Sequence, residues 1–517
     1  MNTTDCLNRN LIRCPDTPAL IQGELTLTWA QAHHDIRKLA GALAQHCGVR
    51  KGDPVAVLLG NSYRNIMAVF ATQWLGAAVV PINIRWTPPE VSFAIDDCEP
   101  ACLFVDRLNW PIVEHLDPAQ RAQLTLIWTD DGEAPEGLLS FDTLIETANP
   151  APQADVGGDA IASIFYTGGT TGRSKGVLLS HDNQVSHSIA LIADIGMPPG
   201  GVYLHAAPMF HIADSLFTHM FTQLGGTHVI LPQFTPEGVA RLTERHGVES
   251  AVLVPTMIQM IMVDEAVADR VFTRFKRLFY GASPMPEALI KQLLERYPAL
   301  ELWQLYGQTE SSPVLTVLPP QWHGTGGNPK PQARSAGRAM LGTDVRIFDP
   351  DSDAELSVGE TGEIVARGPQ VMQGYRNRDE ETAKALRNGW LRTGDAGYMD
   401  ADGFIYVVDR IKDMIITGGE NVYTVEVEQA IYEIPGVAQC SVIGLPDDKW
   451  GEAVHAIVIP SAGSELTEAQ ILAHCKTQLA DYKRPRSASI RLEPFPLSGA
   501  GKILKRQLRS EFAHSTP

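Results

Sequence analysis

The sequence predicts an α/β protein with a large N-terminal part of several subdomains, one of them β-rich, and a small C-terminal α+β domain. Two observations carry this prediction. Short apolar runs that resemble strands alternate with helix-like segments through the first two thirds of the chain, the pattern of a layered α/β architecture. Examples are VAVLL (55–59), AAVVPI (77–82), ACLFV (101–105), HVIL (228–231) and AVLVP (251–255).

The second observation is a change of texture along the chain. After about residue 340, short strands separated by turns follow one another, as in VRIFD, GEIVARG and GFIYVVDR, and predict the β-rich subdomain. The last hundred residues alternate helix and strand again. A boundary is expected near Asp409 to Asp413, and the length of 517 residues is sufficient for two or more cores.

Composition excludes several classes of protein. The formal net charge of −18 argues against general nucleic-acid binding, which needs a broad basic surface. Seven cysteines without CxxC spacing indicate neither a disulfide framework nor a zinc site. The apolar stretch 66–84 is interrupted by Gln73, Gly76 and Pro81, so we expect a buried helix and a strand there rather than a membrane span. Without a signal segment, a cytoplasmic location is expected.

The loop YTGGTTGRSKG, residues 166–176, is the first candidate ligand site. Its glycines allow backbone N–H groups to surround an anion, and Arg173 and Lys175 supply positive charge. Apolar runs on both sides predict that the loop joins two strands. A nucleotide loop of the GxxxxGK[ST] type has its lysine directly after a glycine and before a helix. Here Ser174 precedes Lys175 and a strand is expected to follow, so the pattern argues against a P-loop NTPase or kinase.

Five further segments follow the loop in a characteristic order. They are GASPMP (281–286), YGQTE (306–310), RTGDAG (392–397), DRIKDMIITGGENVYTVEVE (409–428) and PLSGAGKILKR (496–506), the last within a locally basic C-terminus. With the glycine-rich loop, these segments resemble the acyl-adenylate-forming superfamily of acyl-CoA synthetases, firefly-type luciferases and peptide-synthetase adenylation domains. The resemblance extends over roughly residues 15–510.

The resemblance implies an N-terminal adenylate-forming domain over residues 1–410 and a mobile C-terminal lid over 411–517, with a hinge at Lys412. It also implies ATP, Mg²⁺ and coenzyme A as cofactors and a small-molecule carboxylic acid as substrate. The acid attacks the α-phosphorus of ATP to give acyl-AMP and pyrophosphate, and a thiolate then displaces AMP. No nucleic-acid partner and no integral membrane segment are expected, while the oligomeric state is left open, a homodimer being one option.

The resemblance also implies residue roles in the first half of the reaction. The phosphate loop matches Thr167, Gly169, Thr170, Thr171, Gly172 and Lys175, although Gly168 and Ser174 stand where the family usually has a hydroxyl residue and a proline. Other nucleotide contacts match Gly281, Ala282, Ser283, Tyr306 and Gly307 around adenine, Thr309 at the α-phosphate, and Asp395 and Arg410 at the ribose. Glu310 matches the magnesium-associated carboxylate, and Lys502 matches the lysine that bridges the carboxylate and the α-phosphate.

Further roles concern the acid and the thiol. Gly418 and Gly419 match the tunnel through which pantetheine passes, and His211 matches a gate beside the carboxylate. The segment after His211 is mostly apolar and predicts a fatty or other hydrophobic acid, with aryl acids also open. Methionines at 257, 260 and 262 and Phe217 either wrap the chain or pack in the core, and Asp214 and Ser215 are candidates to contact a polar group of the substrate.

Alternatives to a CoA ligase also fit the sequence. An acyl-AMP ligase that loads a carrier protein would share every adenylation motif, although we find no insertion before the lid of the kind such relatives carry. A non-catalytic nucleotide-binding protein would be expected to lack Glu310 or Lys502, and both are present. No sign of an oxygen-handling site of the luciferase type is found.

Overall fold

The computed structural model describes residues 1–167, 174–283, 285–461, 463–496 and 503–513. In chain order, the helices within these ranges are α1 Asp5–Arg13, α2 Trp29–His46, α3 Tyr63–Trp74, α4 Pro88–Cys98, α5 Trp110–Glu114, α6 Pro118–Gln123, α7 Phe141–Thr147, α8 His181–Ile195, α9 Ile212–Leu224, α10 Pro236–His246, α11 Pro255–Met262, α12 Glu265–Phe272, α13 Glu287–Arg296, α14 Asp379–Ala385, α15 Thr424–Tyr432, α16 Glu468–Gln478 and α17 Lys505–Ala513.

The strands, in the same order, are β1 Pro18–Gln22, β2 Leu25–Thr28, β3 Pro54–Leu58, β4 Ala78–Pro81, β5 Cys102–Val105, β6 Thr125–Trp128, β7 Leu139–Ser140, β8 Ile161–Thr167, β9 Lys175–Ser180, β10 Val202–His205, β11 Thr227–Ile230, β12 Ser250–Val252, β13 Arg277–Gly281, β14 Glu301–Gly307, β15 Val314–Leu318, β16 Gly324–Thr325, β17 Asn328–Pro329, β18 Arg338–Ala339, β19 Asp344–Phe348, β20 Gly362–Arg367, β21 Gly374–Tyr375, β22 Leu386–Arg387, β23 Trp390–Met399, β24 Ile405–Arg410, β25 Ile415–Thr417, β26 Glu420–Val422, β27 Val437–Asp447, β28 Gly451–Pro460 and β29 Ser487–Ile490. Single 3-10 turns lie at Thr309–Ser311, Pro320–Trp322, Pro331–Arg334 and Asp481–Lys483.

Two largely parallel sheets form the body of the protein. In the described part of the chain, one has the order β18-β15-β14-β13-β12-β10-β11-β1-β2 and the other β21-β9-β8-β4-β3-β5-β6-β7. Antiparallel strands lie at the edges, as β15 against β14 and β9 against β8. Helices connect the parallel strands, because a parallel connection has to cross back over a face of the sheet. The predicted α/β alternation is confirmed.

Two smaller sheets follow in sequence. Strands β19, β20, β22, β23 and β24 form an antiparallel sheet, which is the β-rich subdomain that the change of texture predicted. Strands β25 to β29 form a second sheet with its own apolar core of valines, isoleucines and cysteines. The chain passes from one sheet to the other between Arg410 and Ile415.

The apolar stretch 66–84 folds as a buried helix followed by a strand, as its three interruptions predicted. Helix α3 ends at Trp74, and buried strand β4 follows at Ala78. Among the residues described by the structure, no helix has the length and apolar composition needed to cross a membrane.

Helices α8 and α9 pack near the ends of the two large sheets, and local signals fix where each begins and ends. The Ser180 hydroxyl accepts the N–H of Asn183 at 3.1 Å and so caps α8, while His211 caps α9 by accepting the N–H of Ala213 at its Nδ1. Both helices end at a glycine in the left-handed region, Gly196 at φ +69° and Gly225 at φ +68°. The two helices pack against each other.

A fully buried polar cluster lies beneath α9. One oxygen of Asp214 accepts the Tyr203 hydroxyl at 3.0 Å, and the other lies 2.6 Å from Nδ1 of His205, whose Nε2 lies 2.9 Å from His228. The carboxylate of Asp214 has no exposed surface. The expectation that Asp214 contacts the substrate is therefore wrong: its oxygens are used to satisfy core donors, as buried polar groups require.

Phe217, also assigned either to the substrate or to the core, belongs to the core. Its ring stacks on Tyr203 with a centroid separation of 4.8 Å and has no exposed surface. Met257 packs into another core cluster, whereas Met260 on the same helix is 52% exposed. The methionine stripe therefore follows the ordinary inside–outside pattern of a surface helix.

We predict that Asp214→Asn lowers the free energy of unfolding by at least about 2 kcal/mol, because an amide offers one acceptor where the fold uses two. Urea denaturation followed by circular dichroism measures the change. Asp16→Asn, at an exposed acid, is the matched control and should leave the midpoint unchanged. Equal midpoints for the two variants would contradict the role given to the buried cluster.

Candidate active site

The candidate site lies at the carboxyl ends of neighbouring parallel strands β13 and β14, where ligands bind in open α/β sheets. Strand β13 ends at Gly281, and a Cβ built on this residue would lie 2.2 Å from the carbonyl oxygen of Leu305 on β14. Only glycine allows this close approach of the two backbones. The next residue, Ala282, has φ +65°, a conformation that residues other than glycine rarely adopt.

The end of β14 is joined to the β-rich sheet by a carboxylate. The Tyr306 hydroxyl donates to Asp395 at 2.8 Å, and Nε of Arg410 lies 2.6 Å from the other oxygen of Asp395. Asp395 and Arg410 are direct partners in the register of β23 and β24. Burial, followed by the nearby Asp395, raises the pKa of Tyr306 well above its ordinary value, so its hydroxyl remains a donor.

A second polar group surrounds Glu310, which lies in the 3-10 turn after β14. The hydroxyl of Tyr375 donates to Oε1 of Glu310 at 2.8 Å, and Nζ of Lys175 lies 4.8 Å from the centroid of the Tyr375 ring. Burial, followed by Glu310, raises the pKa of Tyr375. Tyr375 thus lies between the cation of the glycine-rich hairpin and the candidate metal carboxylate.

The two polar groups lie within electrostatic reach of each other. Burial lowers the pKa of Arg410, but Asp395, Tyr306 and Glu310 more than compensate, so the net change is a raised pKa. The structure therefore brings together Tyr306, Asp395, Arg410, Glu310 and Lys175, all of which were singled out in the sequence.

The glycine-rich segment does join two strands, as predicted. Thr167 and Lys175 are opposite each other in the antiparallel pair of β8 and β9. The hydroxyl of Tyr166 donates to Asp97 at 2.7 Å and anchors the hairpin to helix α4. Gly169, Thr170, Thr171 and Gly172 lie outside the described residues, as does Lys502.

The sequence did not indicate Tyr375 as a site residue. Its segment is held by backbone pairing of Tyr375 with Val177 on β9 and by the Met372 N–H, which donates to the Glu310 carbonyl at 2.9 Å. This pairing joins parts of the chain about 200 residues apart, so no local sequence pattern could have predicted it. The only local feature of the sequence at this position is that the tyrosine directly follows a glycine in the tripeptide QGY, residues 373–375.

A small cavity lies between helices α8 and α9 and Ser312. It is lined by Gln184 and Ser188 of α8, by Ile212, Ser215, Leu216 and His219 of α9, and by Ser312. Ile212 directly follows His211, and Ser312 is two residues after Glu310. Five of the seven lining side chains are polar. This differs from the expectation, because the mostly apolar segment after His211 predicts an apolar lining.

The segment between the two small sheets carries the candidate hinge and tunnel residues. Gly418 and Gly419 form the two-residue turn between β25 and β26, with φ +60° and +85°. A Cβ on Gly418 would lie 2.8 Å from the Trp450 ring, whereas a Cβ on Gly419 meets no atom within 4 Å. Lys412 is an exposed residue, and partial desolvation of its ammonium group lowers its pKa.

Polar contacts link the two small sheets across the segment that joins them. Asp409, at the end of β24, accepts the backbone N–H of Thr424, the first residue of α15. Lys505 of α17 pairs with Glu428 of α15 at 2.7 Å, and Arg509 donates to the carbonyl oxygens of Lys412 and Asp413. Helix α17, which begins three residues after Lys502, therefore contacts the segment around Lys412.

The residues around Glu310 are chemically suited to Mg²⁺, which prefers one or two carboxylates with phosphate oxygens and water as the remaining ligands. Glu310 is half-buried and contacts Tyr375, whose ring lies beside Lys175 of the glycine-rich hairpin. No cluster of three metal-ligating side chains is found in the part of the chain that the structure describes.

Comparisons with known proteins identify the family of the chain. Residues 7–376 match the AMP-binding enzyme family, and residues 426–502 match the AMP-binding enzyme C-terminal domain. The chain is 36% identical to feruloyl-CoA synthase of an Amycolatopsis species, covering 96% of each protein. It is also 36% identical to the long-chain fatty acid–CoA ligase FadD13 of Mycobacterium tuberculosis, covering 96% of this chain and 95% of that protein.

Two further proteins are also similar to this chain. The fatty acid–[acyl-carrier-protein] ligase ScoC of Streptomyces coeruleorubidus is 34% identical over 96% of this chain and 94% of its own. The crystal structure of ATP-bound MatB from Rhodopseudomonas palustris superposes with a TM-score of 0.88 at 28% identity, covering 99% of each chain. The chain therefore belongs to the AMP-binding enzyme family, within the acyl-adenylate-forming superfamily, and the ligase class that its motifs predicted is confirmed.

Proposed function

We propose that this protein uses ATP to activate a largely hydrophobic carboxylic acid as its acyl-adenylate and then transfers the acyl group to coenzyme A. AMP and pyrophosphate are the other products. The single observation that carries the proposal is the convergence of Asp395, Arg410, Glu310 and Lys175 at the carboxyl ends of β13 and β14. Related CoA ligases of this family use ATP and coenzyme A.

In the proposed first step, a carboxylate oxygen of the acid forms a bond to the α-phosphorus of ATP, and the bond to pyrophosphate breaks. Asp395 binds the ribose hydroxyls: each oxygen already accepts one hydrogen bond but has capacity for another. Arg410 holds the carboxylate in position. Gly281, Ala282 and Ser283 lie on one side of the adenine, and Tyr306 with Gly307 lies on the other.

The phosphates are held by the hairpin and the turn after β14. Lys175 and the loop from Thr167 to Gly172 orient the β- and γ-phosphates, and Thr309 contacts the α-phosphate. Glu310, positioned by Tyr375, is the residue that would hold Mg²⁺. When bound, the ion neutralises phosphate charge and orients the pyrophosphate leaving group. His211 controls access of the acid, and Lys502 stabilises the charge that develops at the α-phosphorus.

In the proposed second step, the thiolate of coenzyme A attacks the acyl carbonyl carbon, and AMP leaves with the electrons of the broken acyl–oxygen bond. The lid, residues 411–517, turns about Lys412 between the two steps. Pantetheine then passes the Gly418–Gly419 turn, where the backbone is open on the side of Gly419. A cytoplasmic location remains a prediction, and the oligomeric state stays open, with a homodimer as one option.

A carrier protein is the second candidate acceptor. The similarity to ScoC, which is named as a fatty acid–[acyl-carrier-protein] ligase, favours this alternative. Both acceptors present the same phosphopantetheine thiol, so the two functions share the first step. They differ only in whether coenzyme A or a carrier protein brings this thiol to the lid.

The test of the proposed function is a panel of carboxylic acids, short to long and aliphatic to aromatic, scored for AMP release with Mg²⁺ and ATP. Each acid is assayed alone, with coenzyme A and with a phosphopantetheinylated carrier protein. We expect AMP release to be stimulated by coenzyme A. Absence of AMP and pyrophosphate with every acid would overturn the proposal, and stimulation by the carrier protein alone would establish the second candidate.

We predict that Lys502→Ala reduces ATP–pyrophosphate exchange by about 100-fold or more, since the loss of one preorganised charge commonly has this effect. Thioester formation from preformed acyl-AMP should stay close to that of the unchanged protein, because only the first step uses this cation. Lys476→Ala, at an exposed lysine of α16, is the matched control. Equal losses in both half-reactions would exclude the assignment of Lys502.

We predict that Gly419→Leu spares ATP–pyrophosphate exchange but blocks acylation of coenzyme A, because the new side chain enters the path of pantetheine. Gly419 has φ +85°, so the substitution also strains the turn. Gly403→Leu controls for this strain, because Gly403 has φ +82° and equally open surroundings in the turn before β24. Unchanged coenzyme A turnover in Gly419→Leu, or equal loss in both variants, would contradict the tunnel.

A further inference from the structure

Tyr375 carries an inference about how the candidate site keeps its opposite charges available to ATP, and this inference rests on the proposed function. The Tyr375 hydroxyl donates to Oε1 of Glu310 at 2.8 Å, and Nζ of Lys175 lies over the same ring, 4.8 Å from its centroid. All three residues are half-buried. One side chain therefore contacts both the ammonium group assigned to the phosphates and the carboxylate assigned to Mg²⁺.

The two charged groups keep free bonding capacity. In the part of the chain that the structure describes, Nζ of Lys175 makes no ion pair and no hydrogen bond, and its contact is the ring of Tyr375. Within the same residues, Oε1 of Glu310 accepts the tyrosine hydroxyl, whereas Oε2 accepts no hydrogen bond. An ammonium group and a carboxylate oxygen are thus both available to a ligand beside one aromatic ring.

A direct pair of Lys175 with Glu310 would remove this availability. Opposite charges attract each other more strongly in a half-buried site than in bulk water, and the lysine ammonium sits on a flexible four-carbon chain. ATP would then have to break the pair before it could bind. The ring of Tyr375 instead offers Lys175 a cation–π contact, which leaves the ammonium N–H donors free.

The backbone holds Tyr375 in this position. Tyr375 pairs with Val177 of β9, two residues after Lys175, and its N–H donates to the Thr382 hydroxyl of α14 at 2.9 Å. A Cβ on the preceding Gly374 would lie 2.8 Å from Cγ2 of Thr382, so the close approach of this strand to the helix depends on glycine. The ring is therefore fixed relative to the strand that carries Lys175.

The turn that carries Glu310 is tied to the same segment. The Met372 N–H donates to the Glu310 carbonyl at 2.9 Å, and the Ser312 hydroxyl donates to the Gln370 carbonyl at 2.7 Å. These two hydrogen bonds join the backbone on either side of the carboxylate to the residues just before Tyr375. The donor and the acceptor of the Tyr375–Glu310 hydrogen bond consequently belong to one framework.

We propose that Tyr375 is a positioning residue that prevents Lys175 and Glu310 from pairing with each other. Its ring keeps the Lys175 ammonium available to the phosphates of ATP. Its hydroxyl fixes the Glu310 carboxylate through Oε1, so that Oε2 is the oxygen left for Mg²⁺. The ring and the hydroxyl have separate tasks, and substitutions can separate them.

The test measures the affinity for ATP by isothermal titration calorimetry, once with EDTA and once with excess Mg²⁺. No acid is present, so the nucleotide is bound but not consumed. The affinity with EDTA reports on Lys175, and the gain in affinity from Mg²⁺ reports on Glu310. The fraction of folded protein changes the binding stoichiometry rather than the affinity, so partial misfolding of a variant does not imitate the effect.

Tyr375→Phe keeps the ring and removes the hydroxyl. We expect its metal-free affinity for ATP to stay within about twofold of the unchanged protein, and its gain from Mg²⁺ to fall by about tenfold, the usual effect of losing a hydrogen bond to a charged group. Tyr375→Leu also removes the ring. Its metal-free affinity should fall by about tenfold, because Lys175 then pairs with Glu310.

A double variant separates this pairing from a merely structural role. Glu310→Gln removes the charge that would capture Lys175, so Tyr375→Leu combined with Glu310→Gln should bind metal-free ATP within about twofold of Glu310→Gln alone. Tyr406→Phe and Tyr406→Leu are the matched controls, because the Tyr406 hydroxyl also donates to a carboxylate, that of Asp400 at 3.3 Å in the antiparallel sheet. Neither control should change either affinity.

Other outcomes would overturn the inference. An equal loss of metal-free affinity from Tyr375→Leu with and without Glu310→Gln would mean that the ring only supports the fold or contacts ATP. A full gain from Mg²⁺ in Tyr375→Phe would remove the role of the hydroxyl. In both cases the proposed function survives. Absence of ATP binding by the unchanged protein would remove both, whereas normal ATP binding without AMP release from any acid would remove only the proposed function.

Discussion

The carboxylate of Asp395 is the contact on which the candidate site depends. Its two oxygens join Tyr306, at the end of a parallel strand of the large sheet, to Arg410, the last residue of β24. Two separately folded parts of the chain, the large sheet and the antiparallel sheet of β19 to β24, therefore meet at one side chain. The contact also leaves acceptor capacity on both oxygens, so the group that holds the fold together can still bind a ligand.

Much of the site could be predicted from the sequence because its residues lie in short motifs at strand ends. Gly281 has to be glycine because Leu305 lies too close for any side chain, and Tyr306, Thr309 and Glu310 share one strand and turn. Such local constraints leave a recognisable pattern. The alternation of strand-like and helix-like runs and the β-rich texture after residue 340 were equally local, and the structure confirms both.

The parts that could not be predicted depend on contacts between distant segments. Tyr375 reaches Glu310 only because its strand pairs with β9, and Asp214 turns into the core because His205 and Tyr203 lie beneath it. In the sequence, Asp214 and Ser215 look equally suited to a substrate. Helical geometry separates them: one points to the core and the other lines the cavity.

The cap that Asp409 provides to helix α15 has a mechanical consequence. Asp409 belongs to the sheet that ends at Arg410, and Thr424 begins helix α15, which packs on the sheet that follows, so their hydrogen bond spans the proposed pivot. A large rotation about the proposed pivot would have to release this amide to solvent and recapture it on return. The lifetime of the observed orientation would then depend in part on the strength of one helix cap, separately from the chemistry at the candidate site.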